Sequence, residues 1–112
     1  MSGEATPKVL HIYVTEDGRE PFSDWLRSLR DIKARAKIRV RLDRVILGNH
    51  GDCHGVGEGV QELRIDYGPG YRVYFAQEGA TILLLLRGGD KSTQNKDIET
   101  AKRYWVEYRR GA

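Results

Sequence analysis

The sequence has no long hydrophobic run, and its longest uninterrupted apolar stretch is residues 82–86. A membrane-spanning helix needs about 20 apolar residues, so we expect no transmembrane segment and no membrane partner. Residues 1–7 lack the basic and apolar pattern of a secretory signal, which predicts that the protein is not exported. Cys53 is the single cysteine, so an internal disulfide is excluded and a cytoplasmic location is expected.

The composition excludes two further classes of protein. Hydrophobic residues make up 39% and charged residues 31% of the chain, which fits neither a disordered protein nor a membrane protein. A chain of 112 residues is long enough to bury one core and too short for two. We therefore predict one domain over residues 1–112, with a flexible N-terminal segment at residues 1–7.

The charge is modestly positive and unevenly distributed. Nineteen Lys and Arg against 16 Asp and Glu give a net charge of +3, and the isoelectric point is about 9.1. A basic excess favours polyanionic partners only where it is clustered. Residues 35–44 and residues 87–96 are rich in basic side chains, so these two regions are the candidates for such contacts.

The first half of the chain has the pattern of a strand followed by two helices. Residues 8–14 are rich in β-branched and aromatic side chains, and a turn sequence follows them. Pro21 is placed for the first turn of a helix whose apolar residues recur at helical spacing. Asp31 is placed to cap a second helix, and Gly48 to end it. We expect the two helices to form a hairpin.

The second half predicts a loop, a three-stranded meander and a final helix. Residues 48–59 contain five glycines and no apolar period, which favours a loop. Gly88 and Gly89 are expected to end the last strand, after which Ser92 or Thr93 caps the helix. The fold class is therefore α+β. The strands are predicted at Val60–Tyr67, Tyr71–Gln77 and Thr81–Arg87.

Turn lengths predict that three arginines share one face of this sheet. A three-residue turn at residues 68–70 places Arg64 opposite Tyr74, and a two-residue turn at residues 78–79 adds Arg87 to the side that holds Arg72. The other face, with Leu63, Ile65, Val73 and Phe75, is predicted to be core. A slip of one residue in either hairpin would move an arginine to the core side.

Four segments in this order resemble the RelE/ParE superfamily, in particular its HigB-like, phage-derived addiction module killer branch. They are residues 61–64 (Gln-Glu-Leu-Arg), 71–75 (Tyr-Arg-Val-Tyr-Phe), 84–92 (Leu-Leu-Leu-Arg-Gly-Gly-Asp-Lys-Ser) and 96–98 (Lys-Asp-Ile). The resemblance implies a RelE-like fold, in which an N-terminal strand and a helical hairpin pack on an antiparallel sheet with a C-terminal helix.

The same resemblance implies a type II toxin, a metal-independent endoribonuclease that cleaves mRNA in the ribosomal decoding site. It also implies a cognate antitoxin, a HigA-like helix-turn-helix DNA-binding protein. Two alternatives stay open, because one fold can serve several functions. One is a ParE-like, non-enzymatic inhibitor of DNA gyrase, and the other is a phage protein that binds host machinery.

An arginine-bearing face suits cleavage of RNA by the adjacent ribose 2′-hydroxyl. Arginine stays charged and pairs with phosphate oxygens, so Arg64, Arg72 and Arg87 are the candidates for stabilising the transition state. Lys91 is a candidate phosphate contact and, secondly, a proton-transfer residue. Arginine is a poor general base, so other groups must move protons. His54 and Glu62 are possible acid or base residues, and Tyr71 and Tyr74 are candidates for proton transfer or RNA contact.

Each of these residues also has a purely structural interpretation. Arg64 can pair with Glu62 or Asp66, and Arg72 with Asp66, as solvated residues of a sheet face. Lys96 is either a phosphate contact or a solvated residue. The basic residues of the second helix are either a docking surface for ribosomal RNA or a solvated helix face. The members of this set predicted to bind RNA are Arg35, Arg39 and Arg41.

A metal site is not expected. His50, Cys53 and His54 lie close together in sequence, but a tetrahedral site needs a fourth ligand and no second cluster supplies it. We therefore predict no metal and no cofactor. His54 is either a plain surface histidine or an acid or base residue, and the second role is a better hypothesis than a metal ligand because imidazole titrates near neutral pH.

Overall fold

The computed structural model describes residues 7–111 and has a mixed α+β architecture. It agrees with the predicted α+β class and with a RelE-like fold. The flexible segment expected at residues 1–7 lies outside the described residues except for Pro7. Between residues 7 and 111 no helix is long and apolar enough to cross a membrane. The elements are β1 (Val9–Ile12), α1 (Pro21–Ser28), α2 (Ile32–Ile46), β2 (Cys53–Gly57), β3 (Val60–Ile65), β4 (Tyr71–Glu78), β5 (Ile82–Asp90), a 3₁₀ turn (Lys91–Thr93) and α3 (Gln94–Gly111).

The strands form one five-stranded sheet in the order β1-β5-β4-β3-β2. β2 to β5 are antiparallel neighbours, as the predicted meander requires, whereas β1 pairs with β5 in parallel. The sheet is therefore mixed, with β1 and β2 at its two edges. A parallel pair requires a long crossover. Here the crossover contains α1, α2, β2, β3 and β4, which all lie between β1 and β5 in the chain.

The predicted loop at residues 48–59 contains a strand. Residues Cys53–Gly57 form β2, which pairs with β3 through a hairpin. Gly57 and Gly59 have positive φ angles, which suit a tight turn at this point. The strand was missed because it lies at a sheet edge with most of its side chains exposed, so it has no alternation of apolar and polar residues.

Two apolar clusters cover the two faces of the sheet. On one face, α1 and α2 pack on β3, β4 and β5 through Phe22, Ile38 and Leu42. On the other face, α3 packs through Ala101 and Trp105. The predicted core residues Leu63, Ile65, Val73 and Phe75 all belong to the first cluster, which confirms the side that they face.

The boundaries of α1 and α2 follow the predicted signals, whereas the 3₁₀ turn before α3 is capped by Asp90, whose carboxylate accepts a hydrogen bond from the Ser92 N–H, and not by Ser92 or Thr93. Pro21 occupies the first turn of α1. The Asp31 carboxylate accepts hydrogen bonds from the backbone N–H groups of Lys33 and Ala34, so Asp31 caps α2. Gly48 follows α2 with a φ of +91°, the left-handed conformation that glycine adopts easily.

The expected break at Gly88 and Gly89 is wrong, because β5 continues through both residues to Asp90. Their role is to allow close approach from both sides of the sheet. A Cβ on Gly88 would lie 2.0 Å from Trp25 Cε3, and one on Gly89 would lie 1.9 Å from Asp97 Oδ2. These glycines therefore let α1 and α3 pack directly on the end of β5.

Candidate functional site

The face beneath the start of α3 carries two rows of polar side chains that run across the sheet. Directly paired residues of antiparallel strands lie on the same face, so each row can be read from the strand register. The second row ends at Gly89, which Asp97 of α3 approaches closely. The first row is His54, Glu62, Tyr74 and Arg87, and the second is Arg64, Arg72 and Gly89.

The pairing between β3 and β4 differs from the predicted one by two residues. Arg64 pairs with Arg72 and Glu62 with Tyr74, because the connection spans residues 66–70 and is longer than the expected three-residue turn. A slip of two residues keeps every side chain on its predicted face, since the side-chain period of a strand is two. Arg64 and Arg72 consequently share one face, as predicted.

Arg87 reaches the same face by a different route from the one predicted. The turn between β4 and β5 has three residues, 79–81, and this odd change alone would turn Arg87 to the other face. A β-bulge reverses the change: Phe75 pairs with Leu85, whereas Tyr74 pairs with Arg87. Leu86 is the extra residue, and it restores Arg87 to the arginine-bearing side.

Glu62 lies at the centre of this face and is fully buried. It accepts hydrogen bonds from Arg64 Nε at 2.8 Å, from the Tyr74 hydroxyl at 2.9 Å and from Gln94 Nε2 at 2.9 Å. Burial alone would raise the pKa of Glu62, but these hydrogen bonds outweigh it and the pKa is lowered. Glu62 therefore stays ionised and orients its neighbours, which argues against its predicted role as an acid or base.

Asp97 performs the same task for Arg87. Its side chain is 1% exposed and accepts hydrogen bonds from Arg87 Nε at 2.8 Å and Thr93 Oγ1 at 2.6 Å. Sequence reasoning missed Asp97 as a site residue. The available signal was its place four residues before Ala101 and eight before Trp105, since a carboxylate on the apolar side of a helix needs a buried partner.

Both carboxylates bind their arginines through Nε. Between residues 7 and 111, no hydrogen bond engages the Nη atoms of Arg64 or Arg87, whose side chains are 39% and 33% exposed. The terminal nitrogens are the fork with which arginine binds phosphate oxygens. The structure thus fixes the base of each guanidinium and leaves its phosphate-binding end available.

Arg72 lies deeper than the other two arginines. It is 8% exposed, and its Nη1 donates to the backbone carbonyl of Gly70 at 2.9 Å. Its Nε is 3.6 Å from Glu62 Oε2 and has no hydrogen-bond partner in the described part of the chain. Arg72 therefore adds buried positive charge beneath the surface, close to Glu62.

The two candidate lysines lie beside the rows, at the start of α3. Lys91 is exposed and packs next to Gly70, the residue that Arg72 contacts. Lys96 is also exposed. Residues 91–96 line an open concavity of about 360 Å³ at the N-terminal end of α3, where helix N–H groups favour anions.

The tyrosines are not available for the predicted contacts with RNA. Tyr74 is fully buried and its hydroxyl donates to Glu62, and burial followed by this hydrogen bond raises its pKa. Tyr71 faces the opposite cluster, where its ring meets Trp25. Stacking on a base requires an exposed ring face, so neither tyrosine can provide it in this conformation.

The basic residues of α2 lie on the other side of the sheet from the arginine rows. Arg41 is half-buried and donates to the backbone carbonyls of Arg64 and His50, so its guanidinium supports the chain around β2 and β3. Arg35 is partly exposed and Arg39 is exposed. The predicted basic regions therefore form two separate surfaces.

His54 lies in the first row, directly across from Glu62. It is half-exposed, and its Nε2 is 2.5 Å from Asp52 Oδ1, so a carboxylate orients the imidazole. Cys53 belongs to the other face, where burial raises the pKa of its thiol. Among residues 7–111, no three His, Cys, Asp or Glu residues are grouped to hold a metal ion.

Comparison with known proteins identifies a family and one relative. The profile of the family "Phage derived protein Gp49-like" matches residues 24–105, which include both polar rows and all three helices in part or whole. An uncharacterized protein of Haemophilus influenzae is 51% identical over 81 residues. That match covers 72% of this chain and 82% of the relative.

Proposed function

Because this chain belongs to the phage-derived Gp49-like family, a family of RelE/HigB-like toxins, we propose that it is the toxin of a type II toxin-antitoxin system. It inhibits translation by cleaving mRNA on the ribosome, in the cytoplasm. Residues 1–112 act as one domain. Its inhibitor is a cognate antitoxin, of the HigA-like helix-turn-helix type.

The observation that carries this proposal is the pair of arginines held through Nε by buried carboxylates. Glu62 orients Arg64 and Asp97 orients Arg87, while the Nη atoms of both remain unpaired among the described residues. A fixed guanidinium costs little reorganisation when negative charge develops on a phosphate. In a solvated ion pair both side chains face water, whereas Glu62 and Asp97 are buried. The arrangement therefore differs from a solvated ion pair.

The proposed reaction is attack of a ribose 2′-oxygen on the adjacent phosphorus. The bond from phosphorus to the 5′-oxygen breaks, which leaves a 2′,3′-cyclic phosphate and a 5′-hydroxyl. Arg64 and Arg87 stabilise the charge on the phosphate oxygens, and Lys91 contacts the RNA backbone. His54, oriented by Asp52, takes the proton of the 2′-hydroxyl, and solvent returns a proton to the 5′-oxygen.

Controlled expression in bacteria followed by primer extension on abundant messages tests this proposal. We expect cuts at positions that depend on codon and on translation, with 2′,3′-cyclic phosphate ends in mass spectra of the RNA. Growth arrest with intact messages and trapped gyrase would instead support the ParE-like alternative. Products that carry a 3′-hydroxyl and a 5′-phosphate would contradict the mechanism.

A further inference from the structure

Helix α2 carries a second apolar stripe that faces solvent. The buried side of α2 is formed by Ala34, Ile38, Leu42 and Val45. At roughly 100° per residue, the remaining apolar positions other than Ile46 fall together on the opposite side of the helix. Ile32 is 72% exposed, Val40 is 47% exposed and Leu47 is 71% exposed. The solvent-facing stripe is Ile32, Ala36 and Val40 on α2, together with Leu47, the C-cap residue that follows it.

Basic side chains border this stripe on both sides. By the same helical spacing, Lys33, Lys37 and Arg44 fall along one border, and Arg35 and Arg39 along the other. Asp43 is the one acidic residue within the stripe, between Val40 and Leu47. Apolar contacts and positive charge are therefore offered together on one surface.

The stripe continues into a concavity between α2 and the end of β3. This concavity has a volume of about 420 Å³, and its lining includes Val40, Arg44, Ile65 and Asp66. Lys37 lies at its margin, with its ammonium 5.2 Å from the centre of the Tyr67 ring. The surface therefore has a groove that an apolar side chain of a partner can enter.

We propose that the stripe and its basic borders form a docking surface for an acidic amphipathic helix of another protein. The apolar centre favours a protein over RNA. Arginines and lysines bind the RNA backbone, but exposed apolar side chains such as Ile32 and Leu47 do not contribute to that binding. The basic borders select glutamate or aspartate beside the partner's apolar residues. Isolated exposed apolar residues are common, whereas an aligned set with charged borders is typical of an interface.

This inference goes beyond the RNA-cleaving function and does not depend on it. α2 covers the face of the sheet opposite the arginine rows, so a helix bound here leaves Arg64 and Arg87 uncovered. A protein bound at α2 therefore leaves the arginine rows accessible. The two surfaces are separable by mutation.

A labelled synthetic helix provides the probe. The stripe runs over 16 residues, 32–47, and about 22 Å, so a peptide of about 18 residues with leucines at i, i+4 and i+8 and glutamates beside them matches its length. Fluorescence anisotropy with the full chain should show binding that weakens as salt is added. A scrambled peptide of the same composition should bind about tenfold more weakly.

Paired variants locate the binding surface. We expect two double variants to weaken peptide binding by about tenfold while their melting temperatures stay unchanged. One combines Ile32→Ser with Leu47→Ser, and the other combines Lys33→Glu with Arg39→Glu. Val9→Ser is the matched apolar control, because Val9 is 52% exposed but lies on β1. Arg110→Glu, on α3, is the matched charge control. Unchanged binding in both paired variants would overturn the proposal.

Three other occupants give distinct results, and each would also overturn it. If an RNA hairpin binds and loses affinity in the charge variant but not in the serine variant, the surface is for nucleic acid. If sedimentation shows self-association that Leu47→Ser abolishes, the occupant is a second copy of this chain. If the peptide binds only after residues 2–6 are deleted, the chain's own N-terminus occupies the stripe.

Discussion

Arg87 on β5 donates through Nε to Asp97 on α3 at 2.8 Å, and this contact joins the arginine-bearing face to the helix that covers its edge. Asp97 is almost fully buried, and Thr93 Oγ1 donates to its second oxygen. The contact therefore supports both the orientation of a candidate catalytic group and the packing of α3.

Asp97→Asn is expected to lower both stability and RNA cleavage. The amide keeps the shape but loses the negative charge, so a charge-assisted hydrogen bond worth about 1.5–3 kcal/mol is weakened. Urea unfolding should show the loss of stability. Glu99→Gln, on the same helix and exposed, is the matched control. Cleavage at the wild-type rate by a folded Asp97→Asn protein would show that Arg87 needs no such support.

Arg64→Ala is expected to abolish growth inhibition while the protein stays folded. Arg64 is 39% exposed, and loss of one donor to a developing anion costs roughly 10²- to 10³-fold in rate at comparable sites. Arg27→Ala, at an exposed ion pair on α1, is the control. Primer extension measures the effect, and full cutting by soluble Arg64→Ala would reject the proposed role of the arginine rows.

Arg72→Ala is expected to lose activity and stability together. Arg72 is buried beside Glu62, so its removal leaves that carboxylate with less compensating charge. Arg64→Ala also removes a partner of Glu62, the hydrogen bond from Nε at 2.8 Å, so both variants should melt below the wild-type temperature. Equal melting temperatures for Arg72→Ala and wild type would contradict the buried position of its guanidinium.

The stability that Glu62 contributes should depend on pH. Its pKa in the folded protein lies below the ordinary value of 4.5, so the unfolded chain binds more protons between these two values. The contribution is complete above pH 4.5 and is lost as pH falls through the folded pKa. Wild type should therefore be more stable than Glu62→Gln at pH 7, and the difference should shrink on acidification. A difference that is constant from pH 7 to acid pH would show that folding does not shift the pKa of Glu62, and a difference that grows on acidification would show that the pKa is raised.

Gly88→Ala and Gly89→Ala should both be destabilising. The added Cβ atoms would lie 2.0 Å from Trp25 and 1.9 Å from Asp97, and overpacking of this kind typically costs about 1–3 kcal/mol. Gly55→Ala is the control, because a Cβ there meets its nearest atom at 3.7 Å and φ is not positive. Thermal melting distinguishes the three, and a Gly88→Ala protein as stable as Gly55→Ala would contradict the packing of α1 on β5.

His54→Ala is expected to slow cleavage by roughly 10²-fold without unfolding the protein, since proton transfer by a positioned side chain contributes effects of that order. The side chain is half-exposed, so little packing is lost. His11→Ala, exposed on β1, is the control. Asp52→Asn should give a smaller loss because it disturbs only the orientation of the imidazole. Unaltered single-turnover cleavage in His54→Ala would assign the proton transfer to another group.

The sequence was sufficient for the order of the elements other than β2 and for the faces of β3 and β4. Both follow from periodicity, and a two-residue error in the β3–β4 register changes no side-chain direction. Arg87 shows the limit of this reasoning. Its face depends on turn length and on the bulge at Leu86, and the two departures from prediction cancel. A bulge arises from tertiary packing and has no reliable pattern in one sequence.

The missed features depend on contacts between distant residues. Gly88 and Gly89 look like a strand break until Trp25 and Asp97 approach them from either side. The support that Asp97 gives Arg87 requires α3 to lie against β5. Likewise, β2 becomes recognisable only from its pairing with β3 at the sheet edge.

The parallel pairing of β1 with β5 joins the beginning of the chain to a late segment, Val9 to Ile82. During synthesis β1 emerges before its hydrogen-bonding partner β5, which is translated only after α1, α2 and β2 to β4. Arg87 and its supporting Asp97 come later still. A nascent chain therefore remains without a finished arginine face until residues 87–97 have left the ribosome that makes it. Under the proposed function, a nascent toxin cannot cut the message that encodes it before those residues have left the ribosome.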